Sequence, residues 1–301
     1  VTLKTKTGAS DSISVTSANP SSSTRVNKLD TLSVTGAIET LNLTLDADDV
    51  STTSGTTIAD LDVGSTSTVN ITGAGGLTIG TADLSDGSGS GVTSVIDASA
   101  ATGKLNFGSS SGDFKDTNTE EFKITLGSGT NKIYAGVVAL NNDSYIGTTG
   151  TDTLYLTEAN ASGTALETTV TDIDNVIVTP SATAAHSQPI DLSKFSGVSE
   201  ITIASADHNA AESLAFKDIA SGQVFSIDTS AGNVDVFRAD GITFTNATGV
   251  TGLTLTLDGL LAMHSGGIDI TTNAGTFNKP SQGDTAFEMQ FMPNLDGAAM
   301  F

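Results

Sequence analysis

The chain of 301 residues carries 34 acidic side chains against 12 lysines and arginines, a formal charge of −22. Such a surface excludes nucleic-acid and anionic-membrane binding, which need clustered positive charge. The absence of cysteine excludes disulfides and thiolate chemistry, and no stretch approaches the roughly 18 apolar residues of a membrane helix.

Charged residues make up only 15% of the chain, against about 25% in an average globular domain. Thr, Ser, Asn and Gly carry the polarity instead. Threonine suits a pleated, half-exposed surface, and the other three suit tight turns. The 32 glycines lack a three-residue period and accompany only 5 prolines, so the chain is not collagen-like. The expectation is an all-β protein of many short strands. They form either a β-solenoid (β-helix-like) or serially linked β-sheet domains.

In chain order, Val1 and Leu3 open a strand, and Ile13 and Val15 form a second. Asn19-Pro20-Ser21-Ser22-Ser23 then breaks the pattern. Leu41, Leu43 and Leu45 alternate with polar residues and so share one sheet face. Val69 and Ile71, then Leu77 and Ile79, flank Gly73, Gly75 and Gly76, a hairpin or solenoid corner where positive φ is needed. Pairs at Leu105/Phe107, Phe122/Ile124, Leu154/Leu156, Val176/Val178 and Ile201/Ile203 predict further strands. So do Leu214/Phe216, Phe225/Ile227, Val234/Val236, Ile242/Phe244, Leu255/Leu257 and Ile268/Ile270. Spacing of roughly 8–12 residues fits a sandwich or a β-helix equally. Leu166 and Val170, four apart, predict a helical turn or two between Thr157 and Thr171, and 259–267 another. Phe287, Met289 and Phe291 predict a last, apolar strand.

Three segments follow: 1–29 as N-terminal strands and linker, 30–180 as a β-rich repeat-like domain, and 181–301 as a second β-rich domain. The proline-bearing stretch between Pro180 and Pro189 marks the last boundary. A start at Val1 without a leader is expected of a fragment or processed chain.

Catalytic signatures are weak. No GxSxG elbow or HExxH motif occurs, and His186, His208 and His264 lack any flanking pattern. Asp60/Asp62 and Asp172/Asp174 would share a strand face, but glycoside hydrolysis needs two carboxyls set across a cleft. The chain is therefore expected not to be an enzyme. Calcium takes six to eight oxygens, which Asp, Asn and turn carbonyls supply. Asp46/Asp48/Asp49, Asp60/Asp62, Asp113/Asp116 and Asp172/Asp174 are its candidate ligands.

The phrases Leu126-Gly127-Ser128-Gly129-Thr130-Asn131-Lys132-Ile133 and Asn142 through Leu154 resemble a degenerate RTX nonapeptide, GGxGxDxLx. Gly147, Gly150, Asp152 and Leu154 match its first Gly, third Gly, Asp and apolar residue, whereas Thr148 replaces a Gly. In the earlier copy Gly127 and Gly129 fit and Asn131 stands for the Asp. TLSVTGAIETLNLTL at 31–45 and STVNITGAGGLTIG at 68–80 extend the resemblance to RTX-associated bacterial surface-layer proteins. That resemblance implies secretion to the cell surface, Asp143 and Asp152 as further calcium ligands, and self-association into a calcium-stabilised lattice. It also admits a cell-surface polysaccharide as partner. Two other classes share the style. One is an adhesin or phage-fibre-like shaft binding a glycan, with Tyr134, Tyr145 and Tyr155 the first stacking candidates. The other is a β-helical polysaccharide-degrading enzyme, for which Arg25 and Arg238 are the only arginines.

Overall fold

The computed structural model describes residues 11–17, 27–34, 38–46, 55–63, 68–83, 93–109, 114, 121–137, 143–157, 168–179, 189–204, 213–228, 241–248, 254–258, 270–272 and 291–293. It is a β-solenoid of parallel strands, with no α-helix among the described residues. The chain divides into two compact units. One comprises residues 1–137, 141–156 and 167–174, the other 138–140, 157–166 and 175–301.

In the first unit, β1 (Ser12–Ser17) and β2 (Lys28–Ser33) make one rung, and β3 (Thr40–Leu45) and β4 (Thr56–Asp62) the next. β5 (Thr68–Gly73) with β6 (Leu77–Asp83), and β7 (Thr93–Ala101) with β8 (Leu105–Phe107), follow. β9 (Glu121–Thr125) with β10 (Thr130–Val137), β11 (Ser144–Ile146) with β12 (Thr151–Thr157), and β13 (Thr169–Thr171) continue the stack. Odd strands pair with odd strands and even with even, so each circuit contributes one strand to each of two parallel sheets. A circuit takes 28 residues between Asn42 and Asn70, but 21 between Asn131 and Asp152.

Alternation explains the stacking. Leu41, Leu43 and Leu45 point inward and are buried, while Thr40, Asn42 and Thr44 point out. Register then aligns inward residues into columns. Ile13, Leu41, Val69, Ile96, Ile124, Tyr145 and Val170 form one. Ile58, Ile79, Phe107 and Ile133 form another in the facing sheet, which Leu29 of the first rung extends as an exposed end. Each fully buried aliphatic contributes about 1.5–3 kcal/mol, and a rung buries its apolar edge only against its neighbours. Outside, Asn70 Nδ2 donates to Asn42 Oδ1 at 2.9 Å and Asn106 Nδ2 to Thr78 Oγ1 at 3.3 Å, so polar side chains are laddered as well.

The short corners from odd to even strands also stack. A Cβ on Gly103 would collide with the Gly75 carbonyl, one on Gly129 with that of Gly103, and one on Gly150 with that of Gly129. Backbones at this corner approach too closely for any side chain, which is what the glycines at 75, 103, 129 and 150 permit.

The second unit repeats the plan. β14 (Asn175–Thr179), β17 (Glu200–Ala204), β19 (Val224–Asp228) and β21 (Thr254–Asp258) form one parallel sheet. β15 (Ile190–Asp191), β18 (Ser213–Ile219), β20 (Gly241–Asn246), β22 (Ile270–Thr272) and β23 (Phe291–Pro293) form another. A 3-10 turn, Leu192–Lys194, precedes the two-residue β16 (Phe195–Ser196). Phe216, Phe225 and Phe244 fill this core, with ring centroids 4.8 to 5.7 Å apart in edge and stacked contacts.

One expectation needs correcting. Val170 belongs to β13, where it faces inward in register with Tyr145, and not to a helix. Leu166 and the rest of 158–167, where the spacing predicts the helical turn, lie outside the described residues. Val1, Leu3, Val234, Val236, Ile268, Phe287, Met289 and the segment 259–267 lie outside the described residues.

Candidate functional site

The inward column that starts at Thr56, Leu77 and Leu105 changes chemistry where it reaches Asn131 and Asp152. Both are fully buried. Asn131 Oδ1 accepts the N–H of Leu105, the first residue of β8, at 3.1 Å. Its Nδ2 donates to the Gly127 carbonyl at 2.8 Å, the Gly129 carbonyl at 3.2 Å and Asp152 Oδ1 at 2.7 Å. Asp152 Oδ2 accepts the Thr148 N–H at 2.9 Å, and the Asp152 N–H donates to Asp174 Oδ2 at 2.7 Å. A polar side chain of one rung thus takes up a strand-initial N–H of the rung before it. Burial pushes the Asp152 carboxyl above its ordinary range; the Asn131 and Thr148 donors pull it down, and the charge of Asp174 adds to the rise.

The opposite sheet shows the same device. Asp143 is buried, accepts the Phe122 N–H at 2.9 Å and is hydrogen-bonded to the Tyr145 hydroxyl. Its backbone carbonyl takes the Thr169 N–H at 2.8 Å. Burial first, then the Asp143 charge and hydrogen bond, push the Tyr145 hydroxyl well above the ordinary tyrosine value. Tyr145 therefore offers no sugar-stacking surface: it is 3% exposed. Its place as the inward partner of Ile124 and Val170 explains why.

The remaining expected ligands lie on outer surfaces. Asp60 and Asp62 share the outward face of β4 and are half-buried. Asp60 accepts the Thr81 hydroxyl at 3.1 Å, and Asp62 that of Ser33 at 2.9 Å. Register pairs Asp62 with Asp83, and in the second unit Asp228 with Asp258, so acidic positions fall opposite each other on adjacent rungs at strand ends. Asp46 follows β3 half-buried, its N–H on the Ser17 carbonyl at 3.0 Å. Asp172 and Asp174 are exposed at the corner before β14, and Asp172 holds a left-handed φ of 53°. Asp48, Asp49, Asp113, Asp116, the three histidines, Arg25 and Arg238 lie outside the described residues. Among the described residues no three His, Cys, Asp or Glu side chains converge.

Tyr134 and Tyr155, from β10 and β12, stack on the outer face with centroids 4.2 Å apart and planes at 12°. Lys132 Nζ sits 5.8 Å from the Tyr155 centroid. Both rings are half-buried. The sequence names these tyrosines singly; their meeting depends on the short circuit between β10 and β12. The role of Asn131 was also missed. Its signal was a polar residue in phase with the inward Ile133 and Ala135.

Compared with known proteins, the chain matches no family model, no curated protein and no solved structure. Among the described residues no helix is long and apolar enough to cross a membrane.

Proposed function

We propose that this protein is a non-catalytic structural component of an extracellular surface lattice, built by self-association of its β-solenoid units and tied by calcium. The supporting observation is the pairing of acidic residues in register, Asp62 with Asp83 and Asp228 with Asp258. Neighbouring strands lie about 4.8 Å apart, and like charges directly opposite are destabilising. A divalent cation bridging such strand ends removes the repulsion, and on a chain of charge −22 it also removes repulsion between copies. Asp60 shares the outward face of β4 with Asp62 and offers a further carboxylate there. The resemblance to RTX-associated surface-layer proteins points the same way. Light scattering and electron microscopy of the full chain test the reading. Calcium is expected to produce large ordered assemblies, excess chelator to disperse them, and Asp62→Asn to raise the calcium needed several-fold. A chain that stays monomeric at all calcium concentrations overturns it.

The Tyr134–Tyr155 stack, flanked by Lys132, favours a second reading. In it the solenoid is a shaft that presents an outward aromatic ledge to a cell-surface polysaccharide. Glycan-array binding that disappears in Tyr155→Ala, with assembly unchanged, separates this reading from the first.

A further inference from the structure

RTX-like phrasing puts a divalent cation among the glycine carbonyls and aspartates of such a corner, yet the donor set at Gly127–Asn131 and Gly147–Asp152 does not fit one. Three oxygens, from Gly127, Gly129 and Asp152, converge at 2.8, 3.2 and 2.7 Å on a single point, and that point is the Asn131 Nδ2 atom. Calcium needs six to eight oxygens at about 2.3–2.6 Å. Here the surrounded position already holds a nitrogen with two hydrogens to give. The Leu105 N–H on Oδ1 sets the orientation of the amide, so its oxygen faces a donor and its nitrogen faces the acceptors.

We infer that the Asn131 amide stands in for a cation at this corner, tying two glycine carbonyls and the Asp152 carboxylate together, so that the corner folds without metal. The substitution also sets a switch. A carboxylate at position 131 would place acceptor against acceptor on Asp152, in a site with no exposed surface, and a cation between them would relieve it, as a shared proton would at low pH. Asn131→Asp should therefore convert a metal-independent corner into a calcium-dependent one. None of this rests on the lattice reading, whose ions act at outward carboxylates.

The test uses the full chain, with calcium alone as the probe, at protein and calcium concentrations at which light scattering shows the chain to be monomeric. In the wild type, the Asn131 side-chain NH2 and the backbone amides of Leu105, Thr148 and Asp152 should keep the same NMR shifts in calcium and in chelator. Asn131→Asp should melt roughly 5–15 °C below the wild type in chelator, recover most of that loss in calcium, and bind one more ion. Calcium-dependent shifts of those wild-type signals would overturn the inference. So would an Asn131→Asp chain as stable as the wild type in chelator. Should the variant fail to fold, the wild-type spectra alone decide.

Discussion

Within one interior column, Leu77 and Leu105 pack by dispersion and exclusion of water, while in the rungs that follow Asn131 and Asp152 meet through a hydrogen bond of 2.7 Å. The two regions share strand direction, register and the glycine corner beside them. They differ in what happens at the strand starts. In the polar rungs a carboxylate or amide takes up a backbone N–H from the first or second residue of a neighbouring strand, as Asn131 does for Leu105 and Asp174 for Asp152. The comparison teaches that a solenoid interior accepts either chemistry provided that neighbouring rungs agree, because a buried polar atom without a partner is costly. Leucine above asparagine works here only because asparagine addresses the leucine backbone.

The largest expected effect comes from breaking that agreement. Asn131→Leu strands the buried Asp152 carboxylate and should cost about 3–5 kcal/mol, measured as a fall in the urea midpoint with an unchanged slope. The double change with Asp152→Leu should recover about 1–3 kcal/mol of that loss, since leucine then meets leucine; a strictly additive result would mean that the two side chains do not act as a pair. On the apolar side of the comparison, Leu105→Ala should cost about 2–5 kcal/mol by opening a cavity. The same denaturation series reads it, and a cost below 1 kcal/mol would deny the column its role.

The smallest and most selective effect concerns Tyr145. Its hydroxyl titrates well above its ordinary value when folded, so the stability it contributes is complete below about pH 10 and is lost as pH rises through the higher folded value. Tyr145→Phe removes a donor from Asp143 and should cost about 1–3 kcal/mol at neutral pH. Above about pH 10 the gap between wild type and variant should narrow, because only the wild type must ionise a buried phenol to keep pace with its unfolded state. A gap constant from neutral to alkaline pH would argue against the Asp143–Tyr145 contact.

Much of the strand content was legible because period-2 alternation is local. Leu41, Leu43 and Leu45 announce a buried face without reference to any other segment. The glycines at 73, 75 and 76 were legible as a corner for the same reason. The candidate site was less so. Asp143 and Asp152 were visible as acidic residues in an RTX-like phrase, but the Phe122 N–H that Asp143 accepts and the Asn131 amide that Asp152 accepts come from rungs 21 residues away. Tyr145 was misjudged because a three-residue strand, Ser144–Ile146, is too short to display its own alternation.

Composition and alternation alone determined that this chain forms short strands with aliphatic residues on one side and threonine or asparagine on the other, since each strand's pattern is written in its own residues. Only the tertiary structure decided that the strands stack in parallel, that Asn42 lies on Asn70 and Asn131 on Asp152, and that Tyr134 faces Tyr155. Circuit length sets those pairings, and circuit length is the sum of corners and loops whose conformations no single strand encodes.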